Sequence, residues 1–139
     1  MSVGQRQLTE LDRSQALWLL GSVALGRIVF TRHAMPAIRP VNHVLDAGHV
    51  IIRSHSGAAV VSEADSDCGV VVAYEADDID PVTHLGWSVV VTGTAYLVTD
   101  PGEKGRYQQL LTPWLDGEMD QVIRIRPSIV TGFRLGSQG

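Results

Sequence analysis

The chain has 139 residues, a formal net charge of −4 and an apolar share of 45%. This length predicts one domain over residues 1–139, with 136–139 as a frayed tail, and it allows a core without disulfides or metal. The 11 lysines and arginines are scattered, which argues against nucleic acid as a partner. No apolar stretch reaches membrane-spanning length and the N-terminus lacks a signal region, so we expect a cytoplasmic protein with no membrane partner.

Hydrophobic periodicity and turn residues predict a mainly β chain. The predicted strands cover residues 24–31, 37–45, 49–54, 69–75, 87–98, 121–126 and 128–135, and the predicted helices cover 9–20, 57–64 and 100–111. Strands dominate this pattern, and many of them are joined by short turns. We therefore expect a six- to seven-stranded antiparallel barrel, closed or nearly closed, with about three short peripheral helices.

Several local signals refine this outline. Asp12, with Gln15 three residues later, has the spacing of a helix capping box, although Thr9 is an alternative cap. Pro40 marks an edge, a bulge or an opening of the sheet, because proline cannot donate to a strand ladder. Gly93 in the middle of the longest strand indicates a bulge or a barrel corner.

Three further expectations concern the middle of the chain. The continuous apolar run over residues 69–75 predicts a strand that is buried on both faces. Cys68, the single cysteine, is expected to be a small core residue at the start of this run. The acidic stretch 76–85 is expected to form a solvated loop.

A hairpin with its turn at residues 46–48 joins two strands, and the sequence is compatible with two pairing registers that differ by one residue. A slip of one residue exchanges the two faces of a strand. The sequence therefore does not decide whether Asn42 or His43 shares a face with Arg53.

The segment from Arg53 to Gly57, RSHSG, ends a strand and precedes a short helix. An arginine fork, hydroxyl groups and the N–H groups of a helix start can together hold an anion. The alternative is that Arg53 is an ordinary strand-end cation and that Ser54 and Ser56 are helix caps.

Motifs for other chemistries are absent from the sequence. The five histidines form no metal-binding spacing, so we predict no metal site. The chain has no nucleophile elbow and no Walker loop, and no catalytic residue is predicted. If the protein is an enzyme, a cofactor is expected to carry the chemistry.

The order of these elements resembles the pyridoxamine 5′-phosphate oxidase-like, FMN-binding split-barrel flavoproteins, and most closely their small actinobacterial-type members. The resemblance is carried by the segments LGRIVF (25–30), PAIRPVN (36–42), VIIRS (50–54), GWSVVVTG (86–93) and VIRIRP (122–127), and it covers nearly the whole chain. It implies a split barrel, a homodimer and FMN, or deazaflavin F420 in some branches, at the subunit interface.

The resemblance also implies positions for the cofactor-binding residues. Pro40, Val41 and Asn42 would lie along the isoalloxazine ring. Arg53, Ser54 and the Ser56-Gly57 helix start would bind the phosphate, and Trp87 and Ser88 would approach from the partner subunit.

One departure from the family pattern concerns the phosphate. Many FMN-binding members have a lysine just after the glycine of the short helix, whereas this chain has Ala58 and Ala59. Losing a charge-assisted hydrogen bond costs about 1.5–3 kcal/mol. Arg27, Arg39 or an arginine of the partner subunit would have to compensate, or else F420 replaces FMN or no cofactor binds.

Three functions follow as alternatives. The first is an FMN-dependent oxidoreductase acting on a small organic substrate, with an F420-dependent reductase as its variant. The second is a dimeric barrel that binds a flavin or another anionic ligand without turnover. The third is haem handling, for which no histidine is singled out as an axial ligand.

Overall fold

The structure is a computed structural model and describes residues 6–55, 58–65, 67–112 and 119–137. It contains seven strands and three helices. In chain order these are β1 (Arg6–Glu10), α1 (Arg13–Gly21), β2 (Leu25–Arg32), β3 (Met35–Asp46), β4 (His49–Ser54), α2 (Ala59–Ala64), β5 (Val70–Ile79), β6 (Gly86–Leu97), α3 (Pro101–Leu110) and β7 (Gln121–Ser137).

The sheet closes on itself. Its strands follow the order β1-β7-β4-β3-β2-β5-β6, and β6 pairs again with β7, so that six strands form a ring and β1 adds to the end of β7. All strand pairings among the described residues are antiparallel. The side chains that point inward form the main core and include Ile28, Ile52, Tyr74, Val91 and Ile123. The predicted mainly β antiparallel split barrel with about three helices is confirmed.

The barrel is open along one half of β3. Residues Met35–Asn42 pair with β2, whereas only His43–Asp46 pair with β4. The His43 amide donates to the Ala24 carbonyl, and because hydrogen-bonding direction alternates along an antiparallel strand, the amide nitrogens of residues 36, 38 and 40 point away from β2. Because Pro36 and Pro40 have no N–H group, the unpaired edge of β3 lacks two of the donors that a neighbouring strand would need. The prediction that Pro40 marks an edge or opening is confirmed.

A bulge connects β6 to β7. Thr92 pairs with Ile129 but Gly93 pairs with Pro127, so one residue of β7 is skipped. A Cβ atom at Gly93 would overlap the carbonyl oxygen of Arg126, which explains the glycine. The predicted bulge is confirmed. The prediction of two separate strands over 121–126 and 128–135 is wrong, because the bulge accommodates Pro127 and β7 continues as one strand.

Other differences arise where pairing partners decide the structure. The sequence did not indicate β1, whose residues are held by the end of β7. β5 is buried on one face only, since Val71 is 68% exposed. β5 also extends through residues 76–79, which were expected to be loop, because they pair with the start of β6. Cys68 is exposed in the turn before β5 rather than in the core.

The helix ends follow local chemistry. Asp12 and Gln15 form the predicted capping box of α1, and the Asp100 side chain accepts from the Glu103 amide at the start of α3. Ala58 precedes α2 without a side-chain cap, and Ser56 and Gly57, the predicted start of this helix, lie outside the described residues. Within the described ranges, no helix is long and apolar enough to cross a membrane.

Candidate functional site

A cleft of about 300 Å³ lies at the opening between β3 and β4, with the start of α2 on one side. It is lined by Ile28, Phe30, Arg32, Arg39, Pro40, Val41, Ile52, Arg53, Ser54, His55, Ala58, Ala59, Val60 and Met119. The floor is apolar, because Ile28, Phe30 and Ile52 also belong to the barrel core.

The described lining of this cleft contains positively charged but no negatively charged side chains. Three arginines, Arg32, Arg39 and Arg53, line it together with His55, and no carboxylate is among the described lining residues. A concave site with an apolar floor and several guanidinium groups favours a ligand that combines a flat apolar part with an anionic part.

Arg53 is held by the backbone at the end of α3. Its Nε donates to the carbonyl oxygen of Met119 at 2.7 Å, and its Nη1 donates to those of Gln108 and Leu111 at 3.0 and 2.9 Å. These bonds use three of the five guanidinium donors. Arg53 therefore ties the end of α3 and Met119 to β4 while it lines the cleft, and its role toward a phosphate stays a prediction.

The observed pairing of β3 with β4 settles which of the two hairpin registers is present. Asp46 pairs with His49 and Val44 pairs with Ile51, around a two-residue turn in which Ala47 and Gly48 both have positive φ. Alternation from these pairs puts Asn42 on the same face as Arg53 and directs His43 into the barrel.

The predicted cofactor residues on β3 and β4 separate into two groups. Pro40, Val41, Arg53 and Ser54 line the cleft. Asn42 is buried outside it, where its Nδ2 donates to the carbonyl oxygen of Ala24 at 3.3 Å.

The two predicted residues on β6 lie away from the cleft of their own protomer. Trp87 is buried in the core and is 7% exposed. Ser88 is half-buried and pairs with Asp77 and Phe133. A contribution of either residue to the cleft of a partner subunit stays a prediction.

Sequence reasoning missed a buried polar pair behind the cleft. The ring of His43 lies edge-on to Tyr74, and the Tyr74 hydroxyl lies 2.5 Å from His43 Nδ1 and 3.1 Å from the Val41 carbonyl oxygen. Burial lowers the pKa of His43 and raises that of Tyr74, so both groups are neutral at pH 7. Val41 lines the cleft, and the pair therefore supports its wall from inside the barrel.

Glu75 is a second unusual titratable group, on the outer face of the sheet. Its Oε2 lies 3.5 Å from Arg27 Nη1, and its Oε1 is buried without a partner in the described part of the chain. Desolvation, followed by the neighbouring Asp77, raises the pKa of Glu75 to about 7. Arg27 is thus engaged away from the cleft, whereas Arg39, the other arginine named from sequence, lines it. A contact of Arg39 with a phosphate stays a prediction.

Metal chemistry finds no support in this geometry. Across the described ranges, no three histidine, cysteine, aspartate or glutamate side chains cluster in a way that could hold a metal ion.

Comparison with known proteins gives the class. The chain matches the pyridoxamine 5′-phosphate oxidase family over residues 12–134 and belongs to that family. An uncharacterized protein of Mycobacterium tuberculosis is 55% identical over 132 residues, which are 94% of this chain and 87% of that protein.

Several solved structures are similar to this chain in both sequence and fold, and two of them serve as examples. A Corynebacterium glutamicum protein, provisionally named a pyridoxamine 5′-phosphate oxidase, is 32% identical with a TM-score of 0.79, over 95% of this chain and 96% of its own. The FAD binding protein of Mycobacterium smegmatis is 34% identical with a TM-score of 0.69, over 92% of this chain and 98% of its own.

Proposed function

We propose that the protein binds a flavin nucleotide in the cleft at the barrel opening and uses it as a flavin-dependent oxidoreductase acting on a small organic molecule. The observation that carries the proposal is the positively charged cleft, in which three arginines and His55 surround an apolar floor. A flavin nucleotide combines a flat aromatic ring with phosphate, and this donor set fits both parts.

The residues divide by chemistry. Pro40, Val41 and Phe30 offer apolar surface for the ring, and the arginines with Ser54 offer donors for phosphate. The bound flavin would supply electron transfer, while the chain binds and orients it and excludes water from one side. Within the described lining His55 is the one side chain of a type that commonly serves as a general acid or base, so the chain adds little acid–base chemistry of its own.

The choice among flavins rests on the relatives. The 34% identical FAD binding protein of Mycobacterium smegmatis favours FAD, whereas the family resemblance favours FMN, with F420 as the variant. The missing lysine at Ala58 and Ala59 weakens the case for a single phosphate held at the start of α2. Three arginines in the cleft provide the cationic charge that this lysine would have supplied.

We further propose a homodimer. A row of side chains crosses the outer sheet face in register from Ile38 through Val29, Ala73 and Thr92 to Ile129. Ile38 and Ile129 are 56% and 59% exposed. Pro40 and Ser88 share this face by alternation, so a second copy that covers the row would bring its Ser88 toward the cleft.

The binding proposal is tested by the visible spectrum of the purified protein and by titration with FMN, FAD and F420. We expect flavin absorption bands, or saturable binding of at least one of the three. Failure of all three to bind would overturn the proposal.

Turnover is a separate question with its own measurement. Reduction of the bound flavin by a nicotinamide donor, followed by reoxidation with a small acceptor, is expected for an oxidoreductase. Binding without reduction by any nicotinamide or deazaflavin donor would instead support the non-catalytic flavin-binding barrel.

The dimer is tested by sedimentation. We expect Ile129→Glu to convert the dimer to a monomer, because it places a charge in the apolar row. Val82→Glu, at a loop position that is 85% exposed, is the control and should stay dimeric. A monomeric wild-type protein would contradict the proposal.

A further inference from the structure

Two of the three cleft arginines share a face of the β2–β3 hairpin. Arg39 pairs with Ile28, and Arg32 lies four residues further along β2, so both side chains fall on the face of Ile28 and Phe30. Arg53 alternates with Ile52, which points into the barrel, and its side chain turns toward the end of α3. The strand geometry therefore distinguishes Arg32 and Arg39, which face the cleft, from Arg53, which holds the end of α3.

This pair lacks acidic partners within the described residues. Both side chains are exposed, and neither forms an ion pair with a residue that the structure describes. Arg39 donates from Nη1 to the carbonyl oxygen of Ile38 at 2.8 Å, a local bond that leaves its other donors available. Arg27, Arg106 and Arg124, in contrast, are each paired with a carboxylate.

The spacing of the pair limits the ligand. Four residues along a strand correspond to about 13 Å between Cα atoms, so the two guanidinium groups approach one ligand from opposite ends. Between them lies the pair Phe30 and Ala37, of which Phe30 lines the cleft. A diphosphate offers more acceptor oxygens and more charge than a single phosphate, and it can accept from two guanidinium forks at once.

We propose that Arg32 and Arg39 form a diphosphate subsite of the cleft, and that this subsite, rather than Arg53, provides the anion contacts for a nucleotide that carries a pyrophosphate. The identification of that nucleotide as FAD rests on the proposed flavin function. The subsite itself rests on the alternation of β2 and β3 and on the unpaired charge of the two arginines.

The test is calorimetric titration of the full-length protein with FAD, FMN, riboflavin and inorganic pyrophosphate. The variants are Arg32→Gln with Arg39→Gln, and Arg27→Gln as the matched control on the opposite face of β2. We expect the double variant to lose about a hundredfold in FAD affinity, at about tenfold for each charge-assisted contact. Riboflavin binding should change by less than about twofold, and Arg27→Gln should bind FAD like wild type.

The outcomes separate this inference from the flavin proposal. If no flavin binds but pyrophosphate binds to wild type and not to the double variant, the flavin function falls and the subsite stands. If the double variant binds FAD and pyrophosphate as tightly as wild type, the subsite is overturned while the flavin function stands. An equal loss in Arg27→Gln, or a wild-type protein that binds neither flavin nor pyrophosphate, would also overturn the subsite.

Discussion

The hydroxyl of Tyr74 donates its hydrogen bond to Nδ1 of His43, at 2.5 Å. The direction follows from the other ring nitrogen, because Nε2 lies 2.7 Å from the carbonyl oxygen of Leu20 and must carry the proton that this carbonyl accepts. His43 is thus held as one neutral tautomer. Tyr74 passes so close to Gly26 that a Cβ atom there would overlap its ring.

Removing this hydroxyl should destabilise the protein. We expect Tyr74→Phe to lower the free energy of unfolding by about 1–3 kcal/mol, since Nδ1 of His43 is left buried without a donor. Urea denaturation measures the change. Tyr96→Phe, at a half-buried tyrosine on β6, is the control and should change stability by less than about 0.5 kcal/mol. Equal effects of the two substitutions would contradict the assigned bond.

The same histidine should make the protein sensitive to mild acid. Burial lowers the pKa of His43 from 6.5, so between the two pKa values the unfolded state binds more protons than the folded state. The contribution of His43 is therefore fully present above about pH 6.5 and is lost as the pH falls toward the folded pKa. Wild type should lose more stability than His43→Gln between pH 7.5 and 5. A parallel loss in both proteins would show that other groups cause the dependence.

Glu75 should act in the opposite sense. Desolvation raises its pKa from 4.5 to about 7, so the folded state binds the extra proton and stability is lost as the pH rises through about 7. We expect Glu75→Gln to be more stable than wild type at pH 8.5, by about 1 kcal/mol or less because its partner Arg27 is largely exposed. The advantage should vanish near pH 4.5. Carboxyl titration by NMR gives an independent measurement, in which Asp77→Asn should lower the Glu75 pKa.

Arg53 should contribute to stability through α3. Arg53→Gln removes a cation from three backbone carbonyls, and we expect a loss of about 3 kcal/mol with faster amide hydrogen exchange at the end of α3. Arg126→Gln, an exposed arginine on β7, is the matched control and should change stability by less than about 0.5 kcal/mol. Unchanged exchange in α3 would argue against the role given to Arg53.

A substitution in the β3–β4 turn should increase the stability of the protein. Ala47 has a φ of 51° and precedes Gly48 at 80°, a pair of left-handed conformations in which asparagine followed by glycine is preferred. We expect Ala47→Asn to raise the free energy of unfolding by about 0.5–1 kcal/mol in urea denaturation. Ala24→Asn, at an exposed alanine without positive φ, should bring no gain.

Sequence predicted best where the cause is local. The capping box of Asp12 and Gln15 and the Gly93 bulge each depend on residues a few positions apart or on a single backbone requirement. The strand β4 was predicted with its observed bounds because its apolar residues are framed by a turn and a strand end.

The site was predicted less completely because its contacts are distant in sequence. Arg53 was predicted at a strand end, as a phosphate contact or as an ordinary cation, but its carbonyl partners lie 55 to 66 residues away. His43 and Tyr74 are 31 residues apart, and the open hairpin register hid the direction of His43. Arg32 falls just after the predicted strand 24–31, and its pairing with Met35 extends that strand and puts Arg32 on the face of the cleft.

The two prolines on the free edge of β3 have a kinetic consequence. This edge lacks amide donors at Pro36 and Pro40 and therefore cannot form a continuous hydrogen-bond ladder with a neighbouring strand. The mouth of the cleft is thus open before any ligand binds. Ligand association then requires no prior strand separation. The association rate should rise in proportion to ligand concentration without reaching the plateau that a slow opening step imposes, and affinity differences among ligands should appear mainly in their dissociation rates.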